Sequence, residues 1–181
     1  MGSEWERLLA KAEEERTERE ADAAAESAQR HAAAEDAAAQ IRQRTAELSR
    51  EARSLLPEVQ KAVSALIEVD GGGRPAKAWT PPASYMTLQR EYEKGWFGMR
   101  FVGWSCSVGG PAAVRISRQG TVSVKARGDS YRIEALVNTG LIRWYTHWSD
   151  SRESGSTLHE VKADEVCRDL IKCIATYVAN L

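Results

Sequence analysis

Residues 112–127 read AAVRISRQGTVSVKAR, and within them the period of the chain changes to two. Val114, Ile116, Val122 and Val124 fall at alternate positions, with Gln119-Gly120 between the two runs. Alternation around a short glycine turn is the pattern of a hairpin with one buried face. Strands are therefore predicted over 112–118 and 121–127.

The pattern continues on both sides. Upstream, GMRFVGWSC at 98–106 is followed by the turn signal SVGGP. Downstream, YRIEALV at 131–137 follows Gly128-Asp129, and LIRWYTHW at 141–148 follows Asn138-Thr139-Gly140. Turns this short join antiparallel neighbours, so four or five strands are expected as a meander. One face would take Val114, Ile116, Val122, Val124, Ile133, Ala135, Ile142 and Trp144. The other would take Arg115, Ser117, Thr121, Ser123, Lys125, Arg127, Arg132, Glu134, Arg143, Tyr145 and His147.

The apolar face needs a cover. After a polar loop, SDSRESGS, Thr157 and Glu160 have capping-box spacing, and Cys167, Leu170, Ile171, Ile174, Tyr177, Val178 and Leu181 recur at helical steps. A C-terminal helix over 158–180 is predicted to pack there. Ahead of the strands, PPASYMTLQREYEKG at 81–95 has prolines at its start and Gly95 at its end, the punctuation of a short helix. The run GGGRPAKAWTPPAS, residues 71–84, breaks any helix and marks a linker.

Everything before that linker is helix-forming. No glycine stands between Gly2 and Gly71, and a continuous helix over 1–70 would span roughly 100 Å at the helical rise. Its C-terminal part carries a heptad seam: Ile41, Thr45, Leu48, Ala52, Leu55, Val59, Ala62 and Leu66. Leu56, Val63 and Ile67 widen the stripe, as where a helix meets a second surface. Pro57 leaves the apolar phase unbroken, so it predicts a kink near that residue rather than an end. Further back, residues 20–40 hold 11 alanines and no large apolar side chain. Such a stretch either stays solvated or packs closely against another helix. Trp5, Leu8 and Leu9 reopen an apolar patch at the far end. The fold class expected is α+β: a long, coiled-coil-like N-terminal arm, then a small antiparallel meander in a module over 85–181, packed by a C-terminal helix.

Charge supports the same division. Residues 1–70 carry 16 acids and 10 bases, 71–155 carry 6 and 12, and 156–181 carry 4 and 3. A total of −1 thus hides an acidic arm and a basic, tryptophan-rich module. Cys106, Cys167 and Cys173 are three, with no CxxC spacing, which favours reduced thiols in a cytoplasmic protein. No apolar run approaches the roughly 20 residues that span a bilayer.

The function expected is a non-enzymatic interaction or adaptor protein, with the arm mediating oligomerisation and the module recognising a macromolecule. Trp5, Leu8, Leu9, Ala24, Ala34, Ala38, Ile41 and Leu48 are the candidate helix–helix interface, and a homo-oligomer (a dimer first) or another helical protein the expected partner. The alternative is nucleic-acid binding by the basic sheet face, through Arg115, Lys125, Arg127, Arg132, Arg143, Tyr145 and His147. An enzyme using Cys106 and His147 with Asp150 or Glu153 is a weaker reading, since no spacing requires it. His31, His147, His159 and the cysteines match no zinc pattern, so no metal, cofactor or small-molecule ligand is expected.

Overall fold

A computed structural model describes residues 4–70, 87–96, 98–108, 112–149 and 153–181. The chain divides into two compact units, Met1–Arg44 and Thr45–Leu181. The linker proposed over 71–84 lies outside the described residues.

Helix α1 runs Glu4–Asp70 and continues past Pro57. Its stretch in the first unit has every residue from 4 to 44 exposed. Alanine propensity and i,i+4 ion pairs such as Arg16–Glu20 and Arg19–Glu15 favour helix there without packing.

In the second unit the rest of α1 becomes a core element. Ala52, Val59, Val63 and Leu66 are buried, and Leu55, Leu56, Ala62 and Ile67 pack against the same cluster. The heptad seam is thus the face α1 turns to its own module from Thr45 onward. The second unit, Thr45–Leu181, thus includes this part of α1, because the apolar stripe and the sheet need each other.

Five strands form the expected antiparallel meander, in the order β1-β2-β3-β4-β5: β1 (Gln89–Gly95), β2 (Gly98–Val108), β3 (Ala112–Ser117), β4 (Val122–Ala126) and β5 (Asp129–Arg132). Trp104, Cys106, Val108, Val114, Ile116, Val122 and Val124 fill its inner face. Helix α2 (Ile133–Thr139) follows, then a separate two-stranded hairpin of β6 (Leu141–Ser149) and β7 (Ser154–Lys162), and last α3 (Ala163–Ala179). Helix α3 buries Val166, Cys167, Leu170, Cys173 and Ile174, and packs against α1, with Arg168 Nη2 donating to Glu51 at 3.0 Å.

Three elements differ from expectation. Residues 89–95 form a strand, not the end of a helix: Leu88 is buried, Arg90 reaches an inward carboxylate and Tyr92 meets Phe101 at 5.7 Å. That alternation is hidden in the sequence because one of its inward members is an arginine. Residues 133–139 form a helix rather than a strand, since Ile133, Leu136 and Val137 share its buried face while Ala135 is exposed. The left-handed Gly140 (φ 75°) ends it, donating its N–H to the Leu136 carbonyl at 2.8 Å. Thr157 and Glu160 lie in β7, where Glu160 pairs with Arg143 of β6, so the expected capping box does not form. Helix α3 opens five residues later than predicted, at Ala163, with Asp164 and Glu165 in its first turn favouring the helix dipole.

Candidate functional site

The outer face of the five-stranded sheet is built from the alternate residues that the core does not take. Across it, Gln89 lies opposite Ser105, Ser105 opposite Arg115, Arg115 opposite Ser123, and Ser123 opposite Arg132. A second row runs Ser107, Ala113, Lys125, Ser130. Short hydroxyl side chains make the floor, and Arg115, Lys125 and Arg132 rise from it, all exposed. A hollow of about 370 Å³ opens over the β1–β4 part, touching Gln89, Glu91, Ser105, Arg115 and Lys125. Its one ion pair among the described residues joins Arg115 Nε to Glu91 at 3.2 Å. Such a face offers hydroxyl and cationic donors to an anion and no apolar anchor.

The expected basic cluster is therefore divided. Arg115, Lys125 and Arg132 share this face, and Arg127 lies beside it in the β4–β5 turn with φ 54°. Arg143, Tyr145 and His147 do not belong to it, because β6 left the meander for its own hairpin. Arg143 is half-buried with its Nε 2.6 Å from Glu160, while Tyr145 and His147 are exposed. On the opposite hairpin face Trp144 stacks on His159 at 5.3 Å, and the Thr146 hydroxyl meets His159 Nε2 at 2.8 Å. Trp148 lies exposed over Gly155 of the facing strand.

The helix–helix candidates also separate. Trp5, Leu8, Leu9, Ala24, Ala34, Ala38 and Ile41 are exposed, whereas Leu48 is half-buried within the second unit. Cys106 and His147 stand on different elements, and Asp150 lies outside the described residues. Cys106 is buried, and its hydrogen bond with Cys173 and its burial push the thiol pKa up, the reverse of what a nucleophile needs. Among the described residues no three His, Cys, Asp or Glu side chains come together as a metal site. No described helix is long and apolar enough to cross a membrane.

No protein-family model matches the chain, and neither a curated protein nor a solved structure matches it.

One polar centre was absent from the sequence reading. Asp70, the last residue of α1, is buried with its carboxylate fully engaged. Oδ2 accepts from Arg90 Nε at 2.9 Å, Trp104 Nε1 at 2.8 Å and the Tyr177 hydroxyl at 2.7 Å, while Oδ1 accepts from Arg90 Nη2. Arg90 Nε also reaches the Tyr177 oxygen at 3.1 Å. The four side chains come from α1, β1, β2 and α3, and their polar atoms satisfy one another. This is a clamp on the fold. A signal for it existed: Glu68 and Asp70 stand at the negative end of a helix with no base in its last turn, where an acid is unfavourable unless paired elsewhere.

Proposed function

We propose that the chain is a non-enzymatic interaction protein that associates through the helical stretch 4–44 and uses its α+β module to recognise a macromolecule. The observation that carries this reading is the uninterrupted exposure of that stretch, with Trp5, Leu8 and Leu9 at 67%, 58% and 45% exposed. Surface ion pairs contribute only a few tenths of a kcal/mol each. A second helix could approach closely along the alanines of residues 20–40 and cover the apolar end. A copy of this chain supplies such a helix, so a dimer is the first expectation, and another helical protein the next.

Light scattering on the full chain tests this. The wild type is expected at twice the 20.0 kDa of one chain. The triple variant Ala24→Glu, Ala34→Glu, Ala38→Glu is expected at the monomer mass, because charge placed on the short-side-chain surface keeps a second helix away. Monomer masses for both proteins would remove self-association.

A further inference from the structure

We infer that the outer face of β3–β5 binds the phosphodiester backbone of a nucleic-acid duplex, a property independent of association through residues 4–44. The first argument is chemical. Arg115, Lys125 and Arg132 stand among Ser105, Ser123 and Ser130, so every long side chain on these rows of β3–β5 is a cation and its neighbours are hydroxyls that donate to phosphate oxygens. Lys125 and Arg132 have no ion-pair partner among the described residues, and Arg115, itself exposed, has only the pair with the half-buried Glu91. A guanidinium still open to solvent beside such a partner can turn to a competing phosphate.

The second argument is geometric. From β3 to β5 are two inter-strand steps, about 10 Å, an axial rise of about three phosphate-to-phosphate steps along one strand of a duplex. The three cations therefore lie along a stretch of about four phosphates, and each can meet one. The floor between them is too short to hold an incoming backbone away.

The third argument chooses the partner. A protein partner of useful affinity needs an apolar or aromatic anchor at the centre of its footprint. The described outer face of β3–β5 offers only Ala113. It also presents no aromatic ring on which unpaired bases would stack, so single strands lose their usual source of affinity. A duplex backbone asks for charge and hydrogen-bond donors alone, and the expected binding is independent of sequence.

Fluorescence anisotropy with the full chain tests the inference, using a labelled DNA duplex, an RNA duplex of the same sequence and the single strands. Three phosphate contacts predict an affinity that falls about 40-fold between about 50 and 200 mM salt. Lys125→Gln with Arg132→Gln should weaken duplex binding at least about tenfold at the lower salt and flatten the salt dependence to about one contact. Glu91→Gln, which releases Arg115, should tighten it. The control pair Arg42→Gln and Arg53→Gln, exposed on α1, should leave it unchanged, and circular dichroism checks that each variant stays folded. The inference is overturned by no duplex binding at the lower salt, or by an equal loss in the control pair. It is also overturned if the sheet variants change the mass of the chain in light scattering and not its duplex binding, which would assign the face to carboxylates of a second copy.

Discussion

Asp70 shows how one side chain can tie four elements together. Its side chain is 4% exposed, and its charge is tolerated because three donors reach Oδ2 and Arg90 also reaches Oδ1. Removing one member of a buried ionic cluster strands the rest, at about 3–5 kcal/mol. Asp70→Asn should therefore lower unfolding free energy by that amount in urea titration, since the negative charge is lost and the amide nitrogen, a donor, must replace one of two oxygens that both face donors. Tyr177→Phe deletes only one neutral donor, and about 1 kcal/mol is expected. Equal losses would mean that Asp70 is not the hub. The thiols give a pH-dependent counterpart. Burial first, then the Asp164 charge, pushes the Cys167 thiol up to about 11 from its ordinary 9.0. The unfolded thiol ionises first as pH rises, so stability is intact below about 9 and declines towards 11. The hydrogen bond with Cys173, and burial after it, raises Cys106 in the same direction. Cys167→Ser should reduce the alkaline loss, read as the unfolding midpoint against pH.

Gly140 joins α2 to β6 at the scale of elements, and its surroundings leave no space for a side chain. A Cβ there would lie 2.4 Å from the Thr45 carbonyl oxygen and 3.0 Å from the Ser49 nitrogen, both backbone atoms of α1, at φ 75°. Gly140→Ala should therefore cost more than about 3 kcal/mol, combining left-handed strain with displacement of a helix. Gly128, at φ 87° with nothing within 4 Å of its Cβ, isolates the strain alone, and Gly128→Ala should cost about 1–2 kcal/mol. Matching midpoints for the two variants would show that α1 yields freely. Legibility followed the same division between local and long-range causes. β3 and β4 were readable because alternation and turn agree, and the cations of the candidate site on them, Arg115 and Lys125, came with the alternation. β1 was not, because Arg90 faces inward only on account of Asp70, 20 residues earlier. α2 was not, because a seven-residue segment fits both periods until Gly140 meets α1. β7 took the residues of an apparent capping box because Arg143 and Glu160 pair across the hairpin.

At the scale of the whole molecule, the chain joins a unit stabilised by a shared core to one that buries nothing of its own among its described residues. Cooperative unfolding comes from burial, and Thr45–Leu181 contains all of the buried cluster. The helix of residues 4–44 rests on propensity, on ion pairs and, under the association proposed above, on a second helix. These two sources of stability respond differently to protein concentration, because an assembled helix gains by mass action and a monomeric core does not. Far-UV circular dichroism reports both units, whereas tryptophan fluorescence is dominated by the module, since only Trp5 of the six tryptophans precedes residue 79. Heating should therefore give two non-coincident transitions. The first, a loss of helical signal, should move to higher temperature as protein concentration rises and disappear as a separate step in the Ala24→Glu, Ala34→Glu, Ala38→Glu variant. The second, seen by fluorescence, should stay fixed in both proteins. One coincident transition for the two probes, lowered as a whole by the triple substitution, would mean that residues 4–44 draw their stability from the module and that the association reading is wrong.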